Sequence, residues 1–187
     1  MKIAIFGGTF DPIHSGHLEI IKRLFIDYSI DKVIVIPTNV SYYKKNNSMF
    51  SYDERLKLCT MAIKNDLFLS NKDIIISDIE RNIKKDEGYA HTLIKIKNNY
   101  PNDELYTVIG SDSYNYLNTW RSYEDIINNS KLIVVTRPNN HIDEKINISY
   151  LKLELNNQAS STKERLKIEE FILNNIWNTG SPYFIFY

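Results

Sequence analysis

The sequence predicts an α/β fold, built as a doubly wound parallel sheet within a single domain. Five short, continuous apolar runs have the pattern of strands that helices cover on both faces. Segments with apolar residues at helical spacing lie between these runs, and this alternation favours a parallel sheet. The predicted strands are Ile3–Phe6, Val33–Ile36, Ile74–Ile76, Tyr106–Ile109 and Leu132–Val135.

Helices are predicted where apolar residues recur every three or four positions. A last helix is expected over residues 160–176, capped by Ser160, Ser161 or Thr162. The residues that predict the earlier helices are Leu18, Ile21, Leu24 and Phe25; Leu56, Leu58, Met61 and Ile63; Leu93, Ile94 and Ile96; and the pairs Tyr116–Leu117 and Ile126–Ile127.

Ligands of doubly wound sheets bind at the carboxyl ends of the strands, so the loops after the strands should share one face. The segments 38–50 and 137–147 are polar and rich in Asn, Lys and Tyr. The five loops that follow the predicted strands begin at Gly7, Pro37, Glu80, Gly110 and Thr136.

Composition limits the classes of function. The chain has 187 residues, of which 43% are hydrophobic and 25% charged, as expected of one globular domain. Its 23 basic and 23 acidic residues cancel, which argues against nucleic acid or an anionic membrane as a partner. The single cysteine, Cys59, permits no intrachain disulfide and is expected to be a core residue. With no signal-peptide pattern and no apolar run of membrane-spanning length, we expect a cytoplasmic protein.

The most informative stretch is GGTFDPIHSGH at residues 7–17, directly after the first predicted strand. Gly7 and Gly8 let the backbone turn and approach a ligand closely. His14 and His17 are three residues apart, so they can lie on one face at a helix start, where backbone N–H groups also point outward. Gly16 leaves space beside the imidazoles. The pattern predicts a ring of donors around an anion, which suits phosphoryl or nucleotidyl transfer.

This stretch resembles the nucleotidyltransferase superfamily, whose signature is His-x-Gly-His after a strand and a turn. The fuller string is similar to that of the nicotinate-nucleotide adenylyltransferases. The resemblance implies a Rossmann-like fold and a reaction that makes deamido-NAD and pyrophosphate from ATP and nicotinate mononucleotide. It implies that His14 and His17 are catalytic and that Gly7, Gly8, Thr9 and Phe10 contact ATP.

A second candidate anion site is SSTKER at residues 160–165. Hydroxyls and free N–H groups at a helix start bind phosphate, and an arginine one turn later adds a charged fork. The stretch also resembles the family's Ser-Ser-Thr-x-x-Arg. Ser161, Thr162 and Arg165 are therefore expected to hold the β and γ phosphates of ATP, with Arg165 among the catalytic residues.

Further positions carry roles only through the resemblance. After the second strand, Asn39 and Lys44 match an acceptor-binding loop, and Lys44 is implied to be a catalytic phosphate contact. Trp120 matches the tryptophan that stacks on the pyridine ring. The implied contacts of the adenosine part of ATP are Gly110, Asp112 and Arg137. Arg137 is followed by Pro138, as in the Arg-Pro of the family.

The match weakens in three places. The family's proline pair and histidine before Lys44 are Ser41-Tyr42 and Tyr43 here. The family's Ser-Tyr-Thr, which helps to recognise the nicotinate ring, is replaced by residues 88–90, so Tyr89 and Ala90 are implied to bind the acceptor without those two hydroxyls. The tail after residue 177 ends in aromatic residues, which either close the core or make a contact in a homo-oligomer.

We therefore expect one nucleotidyltransferase domain over residues 1–187, with a helical C-terminal portion from about residue 157. Its predicted partners are ATP and nicotinate mononucleotide. Mg²⁺ is expected to be carried on the ATP phosphates, because no carboxylate cluster in the sequence offers a dedicated site. Three alternatives stay open: the same chemistry on nicotinamide mononucleotide, transfer to another phosphate acceptor such as pantetheine phosphate, and a regulator that binds nucleotide without catalysis.

Overall fold

The computed structural model describes residues 1–39, 48–84, 87–137, 141–143, 146, 148–156 and 159–179, with side chains as far as residue 170. In these ranges a parallel sheet has the strand order β3-β2-β1-β4-β5-β6. The strands are β1 (Lys2–Gly8), β2 (Lys32–Pro37), β3 (Ile74–Ile76), β4 (Glu104–Gly110), β5 (Lys131–Thr136) and β6 (Tyr150–Glu154). The predicted α/β class and parallel sheet are confirmed.

Six α-helices are found within the described ranges, and a short 3₁₀ turn at Leu117–Thr119 replaces the helix expected at Tyr116–Leu117. The helix predicted over 160–176 begins at Ser161 and continues to Thr179, so Ser160 is the residue that precedes it. The helices are α1 (Ser15–Asp27), α2 (Tyr52–Lys64), α3 (Gly88–Asn99), α4 (Ser111–Tyr114), α5 (Tyr123–Asn129) and α6 (Ser161–Thr179).

The core lies on both faces of the sheet because side chains along a strand alternate between its two sides. In β1, Ala4 and Phe6 pack in the cluster that contains α1 and α2. Ile3 and Ile5 pack on the other side, in the cluster that contains α3, α4 and α5. Burial on both sides explains the continuous apolar runs of the inner strands.

Strand β6 is the element that the sequence prediction missed. It lies at an edge of the sheet, beside β5, and only Leu153 of its residues is buried. Leu151 and Leu153 alternate with Lys152 and Glu154, which is the period-two signal of a half-exposed strand. A search for continuous apolar runs passes over such a pattern.

The two glycines after Phe6 do not form a turn, contrary to the prediction. Both are paired residues of β1, with Gly7 opposite Ile36 and Gly8 opposite Pro37. The chain leaves the strand at Thr9, and Phe10 then takes a left-handed conformation with φ of 46°. A Cβ on Gly8 would lie 3.1 Å from the Phe10 ring, so glycine here makes room for the returning phenyl group.

Candidate active site

The candidate site lies where the strand order reverses, between β1 and β4. The connections from these neighbouring strands run to opposite faces of the sheet, which opens a crevice at their carboxyl ends. Gly8 ends β1 and Gly110 ends β4, so the two glycine-containing motifs of the sequence meet at this crevice.

His14 and His17 flank the start of α1 as the sequence predicts. His14 is the last residue before the helix and has an extended backbone, while His17 lies in the first turn. Their rings stack with centroids 3.7 Å apart and planes inclined by 26°. The backbone N–H of His14 donates to Nδ1 of His17 over 3.2 Å. Because this nitrogen accepts, a neutral His17 ring carries its proton on Nε2.

His14 is almost buried, with 7% of its surface exposed, and its Nδ1 has no hydrogen-bond partner among the described residues. Burial, together with the positive charge of Arg137, lowers the pKa of His14 to about 4, whereas the negative charge of Glu164 opposes the shift. The ring is therefore neutral near pH 7. A buried polar nitrogen without a partner is costly, so the site favours a ligand that pairs with it.

Small and aromatic neighbours fix the histidine pair. A Cβ on Gly16 would lie 3.2 Å from the His14 ring, so this glycine leaves room for the imidazole, as predicted. The edge of the buried Phe10 ring meets His17, with centroids 4.9 Å apart and an interplanar angle of 77°. The rings are thus held by packing before any ligand binds.

The start of α6 lies against the loop that follows β1. Ser161 donates its hydroxyl hydrogen to the carbonyl oxygen of Pro12 over 3.1 Å. Arg165 donates from Nη1 to the carbonyl oxygen of Asp11 over 2.6 Å and from Nη2 to the hydroxyl of Thr162 over 3.2 Å. The second predicted phosphate motif is therefore next to the first one, although 149 residues separate Ser161 from Pro12 along the chain.

Three of the residues predicted to bind the acceptor, Tyr89, Ala90 and Trp120, lie at the start of α3 or pack against it. Tyr89 packs edge-on against Trp120, with centroids 6.1 Å apart, and its hydroxyl pairs with that of Thr107 over 3.0 Å. Burial raises the pKa of that hydroxyl. Ala90 is buried, and Gly88 has φ of +69°, a conformation that favours glycine. The Tyr89 hydroxyl is therefore held at Thr107 of β4, and a Cβ on Gly7 would lie 3.9 Å from the Tyr89 ring.

The other predicted contacts are distributed around the strand ends. Asp112 is exposed, and its carboxylate folds back over Gly110, where a Cβ on this glycine would clash with Oδ1. Asn39 is anchored by its side-chain amide, which donates to the carbonyl oxygen of Arg81 over 2.7 Å. Arg137 is partly exposed and acts electrostatically on His14. Lys44 lies outside the described residues, as do Tyr43 and the pair at 41–42.

Three buried charged residues were given no role by the sequence reasoning. Asp11, Arg55 and Glu80 are each 3–5% exposed. Arg55 carried a detectable signal, because it shares the buried face of α2 with Cys59 and Ile63 at four-residue spacing. A charge on the apolar side of a helix indicates a specific polar partner.

No group of three or more His, Cys, Asp or Glu side chains in the described part of the chain could hold a metal ion. Among the residues that the structure covers, every helix is too short or too polar to cross a bilayer. A donor-lined crevice with two stacked histidines at the switch point of a parallel sheet is suited to holding phosphates. The fold and this site together define the class of the protein as a nucleotidyltransferase.

Comparison with known proteins specifies the family. The model of the cytidylyltransferase-like family matches residues 5–167. A protein of Fusobacterium nucleatum, named "Probable nicotinate-nucleotide adenylyltransferase", is 38% identical over 177 residues, covering 90% of this chain and 88% of its own. The nicotinate-nucleotide adenylyltransferase of Bacillus subtilis is 28% identical, covering 89% of this chain and 86% of its own. The chain belongs to the nicotinate-nucleotide adenylyltransferase family.

A solved structure has the same fold. The nicotinic acid mononucleotide adenylyltransferase of Plasmodium falciparum, complexed with NaAD, superposes with a TM-score of 0.74 at 20% identity. The match covers 95% of this chain and 97% of that one. This likeness supports the Rossmann-like architecture independently of the sequence motifs.

Proposed function

We propose that the protein transfers AMP from ATP to nicotinate mononucleotide, giving deamido-NAD and pyrophosphate, a reaction of NAD biosynthesis. The observation that carries this proposal is the stacked pair His14 and His17 at the crevice between β1 and β4, with a buried, unpartnered nitrogen on His14. Membership of the nicotinate-nucleotide adenylyltransferase family supports the choice of substrates.

The reaction is a direct displacement at the α phosphorus of ATP. An oxygen of the acceptor's phosphate forms the new bond to this phosphorus, and the bond from phosphorus to the bridging oxygen of the β phosphate breaks. The electron pair of that bond leaves with pyrophosphate. Catalysis of such a step consists of positioning and charge stabilisation, so the chain needs donors rather than a nucleophile.

The histidines are proposed to stabilise the negative charge that develops around the α phosphate. His17 carries a proton on Nε2 when neutral, and the nearly buried His14 is held against it by stacking. Donors that are fixed before the reaction are effective because they need no rearrangement when charge develops.

The remaining phosphate contacts are proposed from the predicted motifs. The loop after β1 and the start of α6 lie together through the bond from Ser161 to Pro12, so both can face one triphosphate. On binding, Arg165 exchanges or shares its bond to Asp11 with a phosphate oxygen. The proposed phosphate ligands are Gly7, Gly8, Thr9, Phe10, Lys44, Ser161, Thr162 and Arg165.

Nicotinate mononucleotide is proposed to bind beside α3. Trp120 stacks on the pyridine ring, and the first N–H groups of α3 face its carboxylate, which the positive end of the helix favours. Because residue 88 is glycine and residue 90 is alanine, recognition here depends on backbone donors rather than on hydroxyls. Asn39, Tyr89 and Ala90 complete the acceptor side, and Gly110, Asp112 and Arg137 the adenosine side.

Mg²⁺ is proposed to enter with ATP, bound by its phosphate oxygens. The described residues offer no cluster of carboxylates or histidines that fits a resident metal, whereas a triphosphate supplies its own oxygen ligands. The ion would neutralise part of the charge on the phosphate chain. A cytoplasmic location stays a prediction, and a contact in a homo-oligomer stays one of the two alternatives for the aromatic tail.

The proposal is tested with ATP labelled on its α phosphate, Mg²⁺ and nicotinate mononucleotide. The expected result is a labelled dinucleotide with the mass of deamido-NAD, released together with pyrophosphate. His17→Ala is expected to abolish most of this product, while the matched control His141→Ala, at an exposed histidine, is expected to retain it. Labelled product that is AMP alone, or no product with the wild-type protein, would contradict the proposal.

A further inference from the structure

Arg55 of α2 is a buried cation to which no step of the reaction gives a role. Its side chain is only 3% exposed. The guanidinium donates to three backbone carbonyl oxygens: from Nη1 to Thr9 over 2.7 Å, from Nη1 to Thr38 over 2.8 Å and from Nε to Phe50 over 3.3 Å. One side chain thus holds three separate segments of backbone together.

These carbonyls belong to the segments that frame the site. Thr9 is the first residue after β1, in the segment that leads to His14 and His17. Thr38 is the first residue after β2 and precedes Asn39. The backbone N–H of Thr38 also donates to the carbonyl oxygen of Gly8 over 2.8 Å. Arg55 therefore connects the loop proposed to hold the triphosphate with the loop proposed to hold the acceptor.

The negative charges of two buried carboxylates, Asp11 and Glu80, partly neutralise the Arg55 cation. Both carboxylates also bind backbone N–H groups of neighbouring loops. Asp11 accepts hydrogen bonds from the backbone N–H groups of Met49 and Phe50, at 3.0 and 2.9 Å. Glu80 accepts from the backbone N–H of Asn39 over 3.3 Å and from the hydroxyl of Thr92 over 3.2 Å.

The charges of this group act on one another in the expected directions. Burial lowers the pKa of Arg55, whereas the negative charges of Asp11 and Glu80 oppose that shift. Burial also raises the pKa of Glu80, and Arg55 counteracts it. Burying a charged side chain costs free energy of folding. Three buried charged residues that all bind the backbone of loops around the site therefore indicate a specific structural role.

We propose that Arg55 is a positioning residue that sets the spacing between bound ATP and bound acceptor. The inference rests on the proposed function. The Nη1 and Nε donors of Arg55 end on the carbonyls of Thr9, Thr38 and Phe50, so these bonds act on the site through the backbone of its loops. Direct displacement requires the attacking oxygen at roughly 3–3.5 Å from phosphorus, and a misplacement of about 1 Å can cost ~10²-fold in rate.

The guanidinium is suited to this task and an ammonium group is not. Arginine presents several donors in a rigid plane, which lets one nitrogen serve both Thr9 and Thr38 while Nε serves Phe50. Lysine keeps the charge that Asp11 and Glu80 require, but its three N–H donors lie on a single nitrogen at the end of a flexible chain, which cannot serve Phe50 as well as Thr9 and Thr38. Arg55→Lys is therefore expected to fold, yet to lose the fixed distance between the two loops.

The test compares Arg55→Lys and Arg55→Met with the wild-type protein. Steady-state kinetics of pyrophosphate release give kcat and both KM values. Calorimetric titration of each substrate alone gives Kd and the number of intact sites. Arg81→Lys is the matched control, because Arg81 stacks on the same Tyr52 ring at the same 5.4 Å but is exposed and paired with Asp53 and Asp78.

For Arg55→Lys we expect kcat to fall at least about tenfold, with each Kd within roughly threefold of wild type and an unchanged number of sites, as misplacement requires. Arg55→Met should show the same pattern more strongly, and Arg81→Lys should match wild type. A kcat that is unchanged in Arg55→Lys overturns the proposal. So does a kcat that falls only in proportion to the number of intact sites, since Arg55 would then serve the fold alone. Failure of the proposed function is a different result, because the wild-type protein itself would release no pyrophosphate.

Discussion

The pH dependence of stability offers a quantitative test of the buried histidine. His14 has a pKa of about 4 in the folded protein against 6.5 for an ordinary histidine. Because the folded-state value is lowered, the neutral ring contributes fully to stability above about pH 6.5, and this contribution is lost as the pH falls toward about 4. The site is therefore expected to weaken the protein in mild acid.

The size of the effect follows from the two pKa values. At about pH 5 an unfolded histidine is almost fully protonated, whereas His14 in the folded chain is ~10% protonated. Between about pH 7.5 and about pH 5, this difference removes roughly 2 kcal/mol from the free energy of unfolding. The asparagine of His14→Asn cannot take up a proton, so this variant lacks the contribution of residue 14 to the pH dependence of the free energy of unfolding. It keeps the contributions of all other titrating groups.

The assay is urea unfolding of the wild-type protein and His14→Asn at the two pH values. Subtracting the pH-induced change in the free energy of unfolding of the variant from that of the wild type cancels the contributions of the other titrating groups. The wild-type protein should lose about 2 kcal/mol more than His14→Asn on acidification. Equal losses in the two proteins, or a larger loss in the variant, would refute the assignment of a buried neutral imidazole. A non-hydrolysable ATP analogue should reduce the difference, since a phosphate near His14 favours its protonated form.

Three further predictions concern single residues. His17→Ala should lower kcat at least ~10²-fold with an unchanged circular dichroism spectrum, as loss of a fixed donor does; near-normal turnover would exclude that role. Trp120→Ala should raise KM for nicotinate mononucleotide about tenfold and KM for ATP less than about threefold, because the proposed stacking partner of Trp120 is the pyridine ring; equal changes would contradict the placement. Gly88→Ala should cost roughly 1–2 kcal/mol in urea unfolding, since alanine is strained at a positive φ; an unchanged midpoint would disprove the strain.

The inner strands and the histidine turn were predictable because their signals are local. Continuous apolar runs mark strands that are buried on both faces, and the spacing of His14 and His17 places them on one side of a helix start. The start of α6 was also found, since the Ser160 hydroxyl accepts from the N–H of Lys163 as a cap does.

The rest depends on contacts between distant parts of the chain. The bonds of Arg55 to Thr9 and Thr38, and of Ser161 to Pro12, follow from which strands are neighbours, and the sequence pattern does not state the strand order. Strand β6 was missed for a different reason. It is an exposed edge with a weak alternating pattern, and such strands depend on the neighbouring strand more than on their own composition.

The proposed reaction is tested most directly by pyrophosphate release from the wild-type protein with ATP and Mg²⁺, comparing nicotinate mononucleotide with nicotinamide mononucleotide as acceptor. Release is expected with the nicotinate form, with a preference in kcat/KM of at least about tenfold over the amide, since the backbone donors at the start of α3 favour a carboxylate. Equal use of both acceptors, or preference for the amide, would contradict acceptor recognition at residues 88–90. Release with neither acceptor, while ATP still binds, would contradict the proposed reaction itself.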